Sequence, residues 1–160
     1  MNHVELEATR RLLFYSVEEA AQVIGNVTPE KWLNWESGKV PIPGKVEDLI
    51  LDVLEEYLFH LESHIAEFED KIHNQGAKSV ALVWYSFEDY LSRPDSKFNL
   101  SPEFWRPQHA ICAQLKMAYP DFVHIVKFDV VKYKKWLGTR NDSDESRGEW
   151  STLQVPTNLH

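Results

Sequence analysis

The chain has 160 residues and a mass of 18.7 kDa, enough for one domain of ordinary size or two small ones sharing a core. With 43% hydrophobic and 26% charged residues it has the balance of a folded globular protein rather than a disordered one. A net charge of −8 opposes indiscriminate binding to polyanions, and the lone Cys112 excludes an internal disulfide framework.

No apolar run approaches the roughly 18–20 residues of a membrane span. The N-terminus, MNHVELEATRR, lacks the apolar centre of a signal peptide. A cytoplasmic location without a membrane partner is expected, in keeping with a single reduced cysteine. Charge is unevenly spread. Residues 1–40 hold four basic and six acidic side chains, residues 41–75 two and nine, and the remainder eleven and ten. The acidic middle is expected to face away from any polyanion.

In chain order, Val4, Ala8 and Leu12 stand four apart on one helical face with Leu13 beside them, while Arg10 and Arg11 fall on other faces. This predicts a first helix over 2–14. Ser16 and Glu19 form the S-x-x-E capping box that starts a second helix, whose buried face would be Ala20, Ala21, Val23 and Ile24. Gly25 is expected to stop it by adopting a left-handed or tightly turned conformation. Thr28-Pro29 restarts the chain, Thr as N-cap and Pro at the first helical position. Trp32 and Trp35 lie on one face of this third helix, and Gly38 ends it. Two short helices on a tight turn have the shape of a helix-turn-helix.

Pro41 and Pro43 precede a long helix from about Gly44 to Asn74, with an apolar stripe at 3–4 spacing that includes Val46, Ile50, Tyr57, Leu58 and Phe68. It serves either as a spine for the C-terminal part or as a helix paired across a dimer. SVALVWYS at 79–86 predicts a strand, Phe87–Arg93 a short helix and Pro94–Leu100 a polar loop. A helical stretch opens at Ser101-Pro102; Pro107 is expected to interrupt it, so that its regular part runs from there to Tyr119. His124–Phe128 reads as a second strand, Val130–Leu137 as a last, basic helix, and 138–160 as a loose polar tail whose Trp150 could dock. Strand, helix, strand at this separation suggests a βαβ crossover.

The expected fold is therefore mainly α with a small α/β part. A lambda-repressor-like helix-turn-helix head covers 1–42 and a long connecting helix 43–76. A small βαβ-type dimerisation domain covers 77–139 and a polar tail 140–160.

On the third helix, Pro29, Glu30, Leu33 and Asn34 are expected to point outward. In a helix-turn-helix the N-terminal residues of the second helix reach base edges in the major groove. Asn34 suits adenine N6 and N7, and Glu30 suits cytosine N4. Lys31 and Lys39 are placed for phosphates, Thr28 caps the helix, and the backbone N–H groups of Ser16 and Val17 could donate to the DNA backbone. The competing interpretation is a protein-interaction module that keeps the shape without reading DNA.

Other constellations are weaker. His60 and His64 stand four apart, a zinc-compatible spacing with Glu56 or Glu67 as a third ligand, but exposed helical histidines beside glutamates are commoner and no metal is expected. His109 and Cys112 could pair as base and nucleophile, against the commoner buried free cysteine. Asp142, Asp144 and Glu145 lack the glycine and spacing of a calcium loop and read as a solvated cluster. No enzyme and no cofactor are expected.

The run SVEEAAQVIG followed by VTPEKWLNWESGK resembles the Cro/C1-type (xenobiotic-response-element) helix-turn-helix, through Ser16, Glu19, Ala21, Gly25, Trp35, Glu36 and Gly38. The turn is one residue longer, at Asn26. More closely, ELEATRRLL, VEEAAQVIG and WLNWESGKVPIP resemble the YdiL-like family and its relatives, the anti-CRISPR-associated repressors. That resemblance implies a homodimeric transcriptional repressor of its own or a neighbouring operon, dimerising through the C-terminal part and binding a palindromic site on double-stranded DNA. By position, the family's recognition-helix contacts fall on Pro29, Glu30, Lys31 and Asn34.

Overall fold

Local signals set the ends of the first three helices in the computed structural model, which describes residues 1–94 and 101–156. Helix α1 (His3–Leu12) begins with a capping box in which Asn2 and Glu5 bond each other's backbone N–H. Helix α2 (Val17–Ala20) does the same through Ser16 and Glu19, and widens into a π turn over Ala21–Gly25. Helix α3 (Pro29–Glu36) has Thr28 as its N-cap and Pro29 in its first turn. Two compact units follow by contact: Met1–Ser63 with Ser101–Ile111, and His64–Leu100 with Cys112–His160.

The first unit corrects two expectations. Val4, Ala8 and Leu12 do not form the buried face of α1: Val4 is 61% and Leu12 47% exposed, and the helix turns Leu6, Arg10 and Leu13 inward instead. At 100° per residue those three lie within about 60° of one another, on the side opposite Val4. An apolar-only pattern misses this face because its middle member is an arginine. Gly25, likewise, does not supply the left-handed residue. Asn26 does, at φ +46°, so the extra residue of the turn is what reverses the chain. Gly25 is needed for space: a Cβ there would lie 2.9 Å from Val27 and 3.1 and 3.2 Å from the rings of Trp32 and Trp35.

Helix α4 (Gly44–His73) runs for 30 residues, about 45 Å at 1.5 Å per residue. Val46, Ile50, Val53, Tyr57 and Leu61 are buried in the first unit and Phe68 in the second. Leu58, expected in that stripe, faces outward with Leu51 and Phe59. A 3-10 turn at Pro102–Phe104 leads into α6 (Trp105–Ala118). Pro107 does not interrupt it. It is the third residue of α6, where a backbone N–H has no acceptor within the helix and its absence costs nothing.

The second unit is built on two parallel strands, β1 (Val80–Trp84) and β2 (Val123–Lys127), in register from Val80 opposite Val123 to Trp84 opposite Lys127. Parallel strands require a long connection, and α5 (Phe87–Leu91) and α6 provide it. Of the expected polar loop, residues 95–100 lie outside the described residues. Helix α7 (Val130–Leu137) follows with Asp129 as its N-cap. The expected loose tail is instead largely helix α8 (Asp144–Thr152), which packs against β1 and α7. Its Trp150 is buried edge-on to Phe128 and Tyr133, with ring centroids 5.5 and 5.9 Å away. The buried Arg147 lies over the Phe128 ring and donates two bonds of 3.0 Å to Asp142. Asp144 accepts from Arg93, so these carboxylates are structural rather than a solvated cluster. The architecture is mainly α with a small α/β part, as expected.

Candidate nucleic-acid interface

The face that α3 presents depends on what holds its other side. Trp32 and Trp35 are fully buried and meet edge to face, centroids 5.6 Å apart. Glu36 is buried too. Its Oε1 accepts from Arg10 Nε and from Trp32 Nε1, both at 2.6 Å, and its Oε2 accepts from Arg10 Nη2 at 3.2 Å. Arg10 completes its set by donating to the Tyr15 carbonyl at 2.9 Å. A bidentate ion pair with its remaining groups satisfied is the form in which buried charge is tolerated. It pins α3 to α1 and to the start of α2, so the outward face of α3 has one orientation.

That outward face carries Thr28, Pro29, Glu30, Lys31 and Leu33, all exposed, with Asn34 half-buried beside them and Lys39 exposed just past the helix. Ser16 is exposed and Val17 half-buried at the start of α2. One expected donor is already engaged: the Ser16 N–H donates to Glu19 Oε2 at 3.0 Å. The Glu19 carboxylate in turn takes three bonds of 2.5–3.0 Å from Arg106. Burial pushes its pKa up, but the Arg106 and Ser16 bonds outweigh burial and hold it below the usual carboxylate range. Glu19 therefore stays ionised, and it is the paired Arg106 that offsets its charge toward an approaching phosphate.

Sequence reasoning missed Arg10 and Glu36 as the pair that orients α3. It placed Arg10 off the apolar face of the first helix and used Glu36 only as a motif match. A signal was present, because Trp32 and Glu36 stand four apart on one helical face, where an indole N–H reaches a carboxylate.

The other constellations separate. His60 is buried rather than a surface histidine, packed on Phe104 at 5.1 Å between centroids, and burial lowers its pKa. Among the described residues no three His, Cys, Asp or Glu side chains group as metal ligands. His109 Nδ1 lies 3.2 Å from Arg106 Nη1. Burial pushes the Cys112 thiol up to about 12, so it is protonated at neutral pH and a poor nucleophile. No helix among the described residues is long and apolar enough to cross a membrane.

Comparison with known proteins places this head. Over 53 residues the chain is 45% identical to the Aca2 repressor of Pectobacterium phage ZF40, covering 33% of this chain and 46% of that protein. Over 75 residues it is 32% identical to the uncharacterized protein YdiL of Escherichia coli (strain K12), covering 46% of this chain and 64% of that one. The chain thus spans about half to two-thirds of the length of these curated relatives. A family model described as Aca2/YdiL-like matches residues 1–121, and the chain belongs to the Aca2/YdiL-like family.

Proposed function

We propose that the chain is a sequence-specific DNA-binding transcriptional regulator, a homodimeric repressor acting in the cytoplasm that reads a palindromic operator with α3. The observation that carries this reading is the pinned α3, whose tryptophan face is buried while Thr28, Pro29, Glu30, Lys31 and Leu33 line its outward side with Asn34 beside them. The likeness to a protein named as a repressor supports it. In this reading Asn34 and Glu30 meet base edges, and Leu33 meets a thymine methyl or a sugar. Pro29 shapes the first turn, and Lys31, Lys39 and the α2 start around Ser16 and Val17 meet phosphates. Dimerisation, through the C-terminal part or α4, sets two weakly charged heads at one half-site spacing and multiplies their affinities.

Unbiased site selection with the purified chain tests this directly: one palindrome is expected to be enriched. Asn34→Ala is expected to relax preference at a single base pair of each half-site, worth about 1–3 kcal/mol of discrimination. Enrichment of nothing would sink the reading.

A second reading, a protein-interaction module, is favoured by one observation. Leu51, Leu58 and Phe59 are exposed on α4 among Asp48, Asp52, Glu55 and Glu62, a face suited to a basic amphipathic partner. It predicts that Leu58→Asp abolishes regulation in the cell while Asn34→Ala leaves it intact.

A further inference from the structure

We infer that the outward face of α7 is a second nucleic-acid surface, a sequence-independent clamp on the phosphate backbone of duplex DNA formed by Lys132, Lys134 and Lys135. The inference rests on the DNA-binding reading above and names where the missing phosphate contacts come from.

The reading head is short of usable cations. Arg10 is buried against Glu36, Arg106 is bonded to Glu19, and Arg11 is paired with Glu7 at 2.6 Å. Only Lys31 and Lys39 then remain beside α3 without an ion-pair partner among the described residues. Non-specific affinity for DNA grows with each phosphate neutralised, so two lysines per head make a weak electrostatic grip. The chain as a whole, at −8, adds none.

The charge needed is segregated in one place. Residues 127–140 hold five basic side chains and one acidic one, Asp129. On α7 the fully buried Tyr133 fixes the inward side, bonded to Asp142 at 2.6 Å. At 100° per residue Val131 and Lys135 lie opposite it, about 160° away, and Lys132 and Lys134 about 100° to either side; all four are exposed. The helical part of this face carries no carboxylate.

The neighbouring carboxylates do not cancel it. Asp129 uses Oδ1 to cap the helix, accepting from the N–H groups of Val131 and Lys132. Its ion pair with Lys132, at 3.2 Å, is solvent-exposed and therefore weak. Asp142 is already compensated by Arg147 and Tyr133. Lys134 and Lys135 have no ion-pair partner among the described residues. Arg140 stacks on Trp136 with its guanidinium carbon 3.7 Å from the ring centroid, keeping a further cation at the C-terminal end of the helix. Ammonium groups on flexible stems act as point charges, which suits a row of phosphates and not the edges of bases. The helix sets where the stems begin, and each flexible four-carbon stem lets its charge adjust, as a sequence-tolerant clamp requires.

The test compares the full chain with the triple variant Lys132→Gln, Lys134→Gln, Lys135→Gln. Binding is followed by fluorescence anisotropy across a salt series, on the duplex enriched by site selection and on a scrambled duplex of equal length. The variant is expected to bind both duplexes more weakly by a similar factor, leaving the preference between them unchanged. Its slope of log affinity against log salt should fall by about 5 for the dimer, two protomers each losing three phosphate contacts at roughly 0.9 per contact. The corresponding triple arginine variant should retain the slope, and Lys135→Gln alone should lower it by about two, one contact from each protomer. Unchanged slopes in a variant that still binds would overturn the inference, as would loss of preference without loss of slope. A shift in sedimentation at constant slope would assign α7 to a protein contact instead. If the unmodified chain binds neither duplex, the DNA-binding reading itself fails and this inference with it.

Discussion

Glu36 accepts three hydrogen bonds in the core of the first unit, and everything that α3 presents depends on them. Removing the arginine would leave a carboxylate buried with only the Trp32 indole as a partner. Arg10→Met is therefore expected to cost about 3–5 kcal/mol, well beyond the loss of a surface charge, because the remaining carboxylate keeps its desolvation penalty. Urea unfolding measures this; a loss below about 1 kcal/mol would show the pair to be solvated and α3 to be held by its tryptophans alone. The same scale explains Phe14. It takes a left-handed conformation at φ +66° where α1 ends, with its N–H donating to the Arg11 carbonyl at 3.1 Å. Glycine or asparagine is usual there, and nothing in the local sequence announces a phenylalanine in that role.

Helices α1 and α8 are the elements that sequence patterning handled least well, for opposite reasons. In α1 an apolar stripe was present but pointed outward, since the buried arginine set the rotation of the helix. In α8, DESRGEWST, one tryptophan and one arginine do the work of a stripe, and no period is visible in nine mostly polar residues. Trp150 nonetheless closes the aromatic cluster of Phe128 and Tyr133. Trp150→Ala is expected to cost about 3–5 kcal/mol, with loss of near-ultraviolet circular dichroism from the second unit. If unfolding and near-ultraviolet signal are unaltered, α8 is an ornament rather than part of that core. By contrast α2, α3, α4 and α7 were legible almost to the residue. Their caps, Ser16, Thr28 and Asp129, and the breaker Gly38 act through neighbours a few positions away.

At the scale of the whole molecule, charge is partitioned along the chain: acidic along α4, compensated around α3, basic on α7. In the DNA-binding reading proposed above, a chain with a net charge of −8 cannot rely on its overall field to approach DNA, so its cations must be concentrated where phosphates come. In that reading each head makes few contacts, and a second copy supplies the rest of the affinity. The chain is expected to sediment as a dimer at micromolar concentration and to protect two half-sites about one helical turn apart. A monomer that protects a single half-site with undiminished affinity would contradict this account.

The sequence by itself determined the order and ends of most elements, the two short helices on a tight turn and the family, because caps, breakers and short motifs are local and leave their mark within a few residues. It also marked Pro29, Glu30, Leu33 and Asn34 as the outward side of α3, since Trp32 and Trp35 had to be buried. Only the tertiary structure decided that Arg10 and Glu36 are a buried pair, that Gly25 is required for clearance from two indoles and that α1 turns its apolar stripe outward. It alone also showed that a polar tail folds as α8. Each of these is a contact between residues far apart in the chain or a matter of space inside the core, and neither is written in periodicity.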